Sequence, residues 1–257
     1  MKNENLIVKK KIEIEGIDVL VSEANTTLEY IKCARVIISD SKIIFEGNNN
    51  FEYIFTSLYG SALVSVNDKE YLVHKHDVVY LTKGDSFSIR KSGDKKLKGL
   101  LFYAQADNSY ESVMIKHKDI VPHIFGNGSC KREVWYMVVP ETVKADRLLF
   151  GFGWSNEGGW TGWPPHEHGD SKEELYYFYD IPENGYAFQL LYEKGIGRDL
   201  KISAIESDEI AIIKRGFHPI VVLPGYIMKN VWVMASLEPI KYRNMEELNY
   251  EVKYLEE

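Results

Sequence analysis

Short apolar runs separated by turn signals recur along this chain, and helical periodicity is scarce. The clearest runs cover residues 62–66, 71–73, 78–81, 87–89 and 97–103. A second series covers 133–139, 148–153, 175–179, 186–192, 209–214 and 231–235. Asn67-Asp68, Gly84-Asp85 and the stretch 182–185 supply plausible turns between them. Many short strands at this spacing predict an all-β protein built as a sandwich or barrel. A helix is expected only near the C-terminus, over residues 244–257.

The two halves share a layout. Val78-Val79-Tyr80-Leu81-Thr82-Lys83-Gly84 and Ile210-Ala211-Ile212-Ile213-Lys214-Arg215-Gly216 form the clearest matching pair, an apolar strand running into a basic-Gly turn. The repeat predicts two tandem barrels, residues 1–125 and 126–257, with the junction in a linker near 120–135. A chain of 257 residues suits two domains of about 100–150 residues each.

Charge narrows the partners. The formal net charge is −7, and the one lysine-rich stretch, residues 91–98, is interrupted by an acid and Gly93. It reads as a solvated loop, so a nucleic-acid partner is not expected. No apolar run approaches the roughly 18 residues of a membrane span. The Lys/Glu-rich N-terminus lacks the apolar core of a signal peptide. Cys33 and Cys130 have no metal-type spacing and suggest no disulfide framework. A cytoplasmic enzyme or binding protein is the expected class. An aromatic content of 13% leaves apolar surface to cover, and a homo-oligomer, a dimer, is expected.

The chemistry concentrates in Pro164-Pro165-His166-Glu167-His168 and the Glu173-Glu174-Leu175-Tyr176-Tyr177 stretch that follows. On a strand, residues two apart face the same side, so the His166 and His168 imidazoles point together. A carboxylate, Glu173 or Glu174, opens the next strand. His218 follows the Gly216 turn about fifty residues later. Three imidazoles and one carboxylate suit zinc, manganese, iron(II), nickel or cobalt. His74 and His76 share the His-x-His spacing, but neither a Glu nor a distant His follows in step, so no metal is expected in the first half. His117 and His123 fall in the expected linker and receive no role.

Residues from about 147 to 243 resemble the bicupin sugar-acid isomerases, the family of 5-deoxy-glucuronate isomerase and 5-keto-4-deoxyuronate isomerase. The matching residues are Arg147-Leu148-Leu149, Gly158-Gly159-Trp160, the His166 and Glu173 stretches, Gly216-Phe217-His218-Pro219, Pro224-Gly225-Tyr226 and Trp232-Val233-Met234-Ala235. The first 120 residues match in outline, as a cupin half without ligands. The resemblance implies two cupin barrels and a divalent metal, zinc or manganese first, on His166, His168, a glutamate and His218. Glu174 is favoured as ligand because the cupin carboxylate usually opens its strand, in phase with Tyr176. Glu173 is then the candidate base, and Tyr176 a pocket residue. Arg132, Arg215 and Lys229 are candidates for holding a substrate carboxylate. The resemblance implies aldose–ketose isomerisation of a uronic or deoxy-sugar acid, closest to 5-deoxy-glucuronate isomerase of myo-inositol catabolism. The alternatives are an enzyme like 5-keto-4-deoxyuronate isomerase, a cupin dioxygenase and a non-catalytic sugar-binding cupin. The segment Trp160-Thr161-Gly162-Trp163 and the acidic Glu167 depart from the inositol-pathway pattern.

Overall fold

A computed structural model describes residues 6–9, 12–40, 42–45, 50–245 and 248–251. It is almost entirely strands, arranged as two tandem cupin barrels. The expected strand over 78–81 is found at Val78–Leu81, and the neighbouring runs extend to Ser61–Val66, Leu97–Gln105, Leu148–Ser155 and Lys172–Tyr179. Strands at Gly16–Val21, Lys32–Ile38 and Phe51–Tyr59 were not expected. Polar residues interrupt their apolar runs, yet these residues are buried and paired. Arg35 meets Asp18 at 3.1 Å, and the Thr56 hydroxyl donates to the Asp77 carbonyl at 2.9 Å. The C-terminal helix is a correction. Asn249–Tyr250 is a short strand pairing with His166–Glu167, and residues 246–247 and 252–257 lie outside the described residues. No helix among the described residues is long and apolar enough to cross a membrane.

Each half contains one large sheet and one four-stranded sheet, and the second half adds the two-stranded ladder of His166–Glu167 with Asn249–Tyr250. In the first half, the large sheet runs Val113–Ile115, Val78–Leu81, Phe51–Tyr59, Leu97–Gln105, Lys32–Ile38, Gly16–Val21. In the second it runs Ile7–Lys9, Glu209–Ile213, Lys172–Tyr179, Lys229–Ser236, Leu148–Ser155, Arg132–Val138, His123–Phe125. The central strands of each large sheet are buried on both faces, which is why Val78–Leu81 and the 210–213 part of Glu209–Ile213 read as continuous apolar runs. One face packs against the other half, through residues such as Ile54, Tyr80, Phe102, Phe150, Tyr177 and Val233. The other face fills its own barrel. Phe55, Val79 and Leu101 do so in the first half, and Tyr176, Phe178 and Trp232 in the second.

The halves are joined reciprocally. Ile7–Lys9, which precedes the first half, pairs with Glu209–Ile213 of the second. Val113–Ile115, which precedes the strands of the second half, pairs with Val78–Leu81 of the first. Two buried glutamates repeat the exchange. The Glu52 carboxylate accepts from the backbone N–H groups of Asp146, Arg147 and Leu148, each at 2.8 Å. The Glu173 carboxylate accepts from those of Glu29, Tyr30 and Ile31, at 2.9, 2.7 and 2.6 Å. Each glutamate is the second residue of its strand, and each binds the chain as it enters a strand of the opposite sheet. A carboxylate holding three N–H groups satisfies donors that burial would otherwise leave unpaired.

Candidate metal centre

All eight residues of Lys172–Tyr179 are buried, and alternation sorts them. Glu174, Tyr176 and Phe178 face the second barrel. Glu173, Leu175, Tyr177 and Tyr179 face the first half. His218 follows a turn at Gly216, whose φ of +100° suits glycine and where a Cβ would meet the Tyr192 carbonyl oxygen at 2.9 Å. His166 lies on a two-residue strand, and His168 just beyond it.

These elements bring His166, His168 and His218 together, with one ligand atom of each within 4.8 Å of the others. Glu174 Oε2 lies 3.0 Å from both His168 Nε2 and His218 Nε2. His166 Nδ1 is 3.1 Å from the Pro164 carbonyl oxygen and His218 Nδ1 is 2.8 Å from that of Gly216. Each carbonyl favours the tautomer with the proton on Nδ1, leaving the Nε2 lone pair free. In that tautomer the His218 Nε2 lone pair faces a carboxylate oxygen at 3.0 Å, and this buried nitrogen has no hydrogen-bond partner. Two acceptors in contact call for a cation between them. The donor set therefore fits a divalent metal.

The electrostatics agree with ligating forms. Burial pushes the His166 imidazole down to about 3, with His218 and His168 adding to the shift. Burial also lowers His168, against the pull of Glu174. For Glu174, burial acts to raise the carboxyl, but the His168 and His218 imidazoles outweigh it and hold the group well below the usual carboxylate range. These shifts favour neutral imidazoles at His166 and His168 and an ionised carboxylate at Glu174, the forms that bind metal. Burial, reinforced by the Glu174 charge and hydrogen bond, raises the Tyr176 phenol far above its ordinary range.

A cavity of about 260 Å³ opens beside this cluster, lined by His166, Glu174, Tyr176 and Arg132 among others. Arg132 donates to the carbonyl oxygens of Trp163 at 2.5 Å and Cys130 at 3.2 Å. No carboxylate among the described residues pairs with it. Thr161 Oγ1, Asn230 Oδ1 and Trp232 Nε1 also belong to lining residues, and all three atoms are buried without a partner. Glycine makes room for two of these side chains. A Cβ at Gly153 would stand 2.6 Å from Asn230 Oδ1, and one at Gly151 would run into the Trp232 ring.

Three expected site residues lie elsewhere. Glu173 faces the first half and is occupied by three backbone N–H groups, so it does not reach the cavity. Arg215 is largely exposed and pairs with Asp170. Lys229 has the opposite phase to Asn230, Trp232 and Met234 on its strand. It sits over the Trp154 ring at 4.8 Å and 3.4 Å from Asp180. A larger cleft of about 570 Å³ lies apart from the cluster. Its lysines are paired with acids, Lys75 to Asp180 at 3.0 Å and Lys98 to Asp208 at 2.6 Å.

The family model described as the KduI/IolB family matches residues 6–250. The chain belongs to the KduI/IolB family. Its relatives include the 5-deoxy-glucuronate isomerase of Shouchella clausii, 28% identical over 227 residues, which span 85% of this chain and 79% of the relative. The 5-deoxy-glucuronate isomerase of Halalkalibacterium halodurans is 26% identical over 233 residues, 84% of this chain and 85% of the relative. Among solved structures, an IolB-like protein from Salmonella typhimurium superposes with a TM-score of 0.86 at 20% identity, covering 98% of both chains. An oxalate decarboxylase from Lactobacillus farciminis gives 0.68 at 12% identity, covering 99% of this chain and 90% of the other. These structural likenesses speak to the fold.

Sequence reasoning missed several residues that line the cavity. Thr161, Asn230 and Trp232 line it, as do Met245, Leu248 and Tyr250 from the C-terminal segment. Strand phase would have found two of them, because Asn230 and Trp232 alternate with the buried Val231 and Val233. Nothing in the sequence signals that residues near 250 return to His166.

Proposed function

We propose that this chain is a metal-dependent aldose–ketose isomerase acting on a small sugar acid of the 5-deoxy-glucuronate type. The observation that carries the reading is one cavity lined both by His166 and Glu174 of the histidine–glutamate cluster and by Arg132, a guanidinium with no carboxylate partner among the described residues. The names of the relatives supply the reaction class.

Arg132 binds the substrate carboxylate, since a guanidinium meets a carboxylate in two-point fashion. Thr161, Asn230 and Trp232 line the same cavity and shape the space for the sugar beside Arg132. His166, His168, Glu174 and His218 hold a divalent ion, zinc or manganese. When bound, such an ion polarises a carbonyl and its neighbouring hydroxyl for proton transfer between adjacent carbons. Tyr176, kept protonated by burial and by the Glu174 charge, lies on the same face of its strand as Glu174 and lines the cavity with it. Trp232 and Met234 help to exclude water from the reacting end.

The test is turnover of metal-loaded protein on a panel of uronates and deoxy-uronates in deuterium oxide, 5-deoxy-glucuronate and 5-keto-4-deoxyuronate among them. Isomerisation with deuterium entering the carbon beside the carbonyl supports the reading. Oxygen consumption with iron(II) would replace it with a dioxygenase. Stoichiometric metal with no turnover on any member would replace it with a binding protein.

A further inference from the structure

The strand that carries His166 has a single partner among the described residues. His166–Glu167 pairs with Asn249–Tyr250 and with nothing else, His166 standing opposite Tyr250. The Tyr250 ring lies 5.8 Å from the His166 imidazole. Met245, Leu248 and Tyr250 form one wall of the cavity, across from the sheet residues Glu174 and Trp232. His166 is half-buried whereas His168 and His218 are buried, so the cluster meets solvent on the His166 side. Tyr250, 38% exposed, covers that side.

The strand in this wall is two residues long, and both of its residues are exposed. Among the described residues, the bonds that tie it down include the two-residue ladder, a bond from the Glu251 N–H to the Pro165 carbonyl at 2.9 Å, and a bond from the Tyr192 hydroxyl to the Glu251 carboxylate. Lys172–Tyr179, by contrast, is paired on both sides, with Glu209–Ile213 and Lys229–Ser236. Segments with few buried contacts open at low free-energy cost, and binding lids are drawn from them.

We propose that residues 248–251 form a strap that opens to admit the sugar acid, closes to hold His166 in place, and uses Tyr250 to set the size of substrate accepted. The identity of the guest rests on the function proposed above, whereas the strap's motion and its hold on His166 do not. Tyr192 is the latch, since its hydroxyl ties the strap to a residue outside the cavity wall.

Hydrogen exchange followed by mass spectrometry on the full-length protein reads the motion directly. The peptide covering 248–251 is expected to exchange at least about tenfold faster than that covering Lys172–Tyr179, and faster again in Tyr192→Phe, with the sheet unchanged. Release of bound zinc to a chelator is expected to quicken about tenfold in Tyr192→Phe at an unchanged Tm. In Tyr250→Ala, KM for a bulkier uronate is expected to fall relative to that for the smaller acid; an unchanged KM ratio would overturn the role of Tyr250 in setting substrate size. Strap exchange as slow as the sheet's, and indifferent to Tyr192→Phe, would overturn the proposal. Faster exchange with unchanged zinc release would overturn the hold on His166. Absent turnover on every sugar acid would sink the isomerase reading and leave the exchange and zinc arms to decide the strap.

Discussion

Replacing Glu173 by alanine separates two roles that its place in the sequence confounds. As a catalytic base, its loss would cost rate. In the structure its carboxylate instead accepts from the N–H groups of Glu29, Tyr30 and Ile31 and never enters the cavity. Truncation leaves three donors facing a void. Ile31 is buried, so its N–H gains no water, while Glu29 and Tyr30 lie nearer solvent and recover part of their loss. Burial also raises the Glu173 carboxyl, against the lowering effect of the three N–H groups, so the ionised side chain already carries a desolvation cost that its loss relieves. Stranding buried partners of a charged group costs about 3–5 kcal/mol. For a protein this size, each kcal/mol moves Tm by about 2–4 °C, so a fall of about 6–20 °C is expected. Glu173→Gln keeps a carbonyl oxygen for two of the donors and should lose less. Scanning calorimetry with steady-state kinetics measures both quantities. The reasoning predicts kcat/KM at low temperature within about threefold of the parent, because the ladders on either side of the strand still hold Glu174. General bases contribute about 10²–10⁴ in rate. A loss of that size at an unchanged Tm would refute the structural role.

His218→Ala is expected to purify without stoichiometric metal, and His74→Ala with it, by elemental analysis; metal surviving a His166→Ala/His168→Ala double substitution would contradict the ligand set. Arg132→Met is expected to raise KM for the sugar acid by about 10- to 150-fold, the equivalent of about 1.5–3 kcal/mol for a charge-assisted pair, with kcat affected less. Burial, with repulsion from His117 next, holds His76 down at about 3, so the unfolded chain takes up its proton first and this stabilising contribution, present above about pH 6.5, is lost as pH falls toward 3. Between pH 7 and 5 the loss is about 2 kcal/mol, and urea unfolding of His76→Asn, which tolerates the positive φ at this position, should show a shallower pH dependence by that amount.

The histidine cluster was legible because its signals are local, although His218 stands about fifty residues from the pair. Residues two apart on an extended chain share a face, and Gly216 marks the turn that delivers His218. The choice between Glu173 and Glu174 was half legible. Taking Tyr176 as inward puts Glu174 on its face and Glu173 on the face of Leu175, which already denies Glu173 the cavity. Arg132, Arg215 and Lys229 could not be ranked by residue type, since only strand phase and burial distinguish a cation lining a cavity from one at the surface. The unpartnered atoms of Thr161, Asn230 and Trp232 are invisible in one dimension, because being unpartnered is a property of surroundings. The same holds for the exchanged strands Ile7–Lys9 and Val113–Ile115, whose partners lie in the opposite halves.

The reciprocal glutamates explain why a repeated scaffold carries one site. Aligning Glu52 with Glu173 puts Tyr53 where the second half has Glu174, and Phe55 where it has Tyr176. The ladders agree, for Tyr53 stands opposite Leu81 and Glu174 opposite Ile213, the residues that the repeated strand-and-turn pattern equates. The same offset sets Ser86 against His218, and the neighbouring ladder sets Tyr103 against Met234. In the first barrel, Tyr53 stacks on Tyr103 with centroids 5.5 Å apart and meets Phe87 edge-on at 5.1 Å. In the second, the corresponding Glu174 and Met234 line the cavity. Large rings fill one barrel, while a carboxylate and a flexible thioether leave space in the other. The anchoring position is shared because both halves need it to hold the opposite chain. The position beside it faces the barrel interior, where one residue, Tyr53 or Glu174, separates a packed core from the carboxylate proposed as a metal ligand.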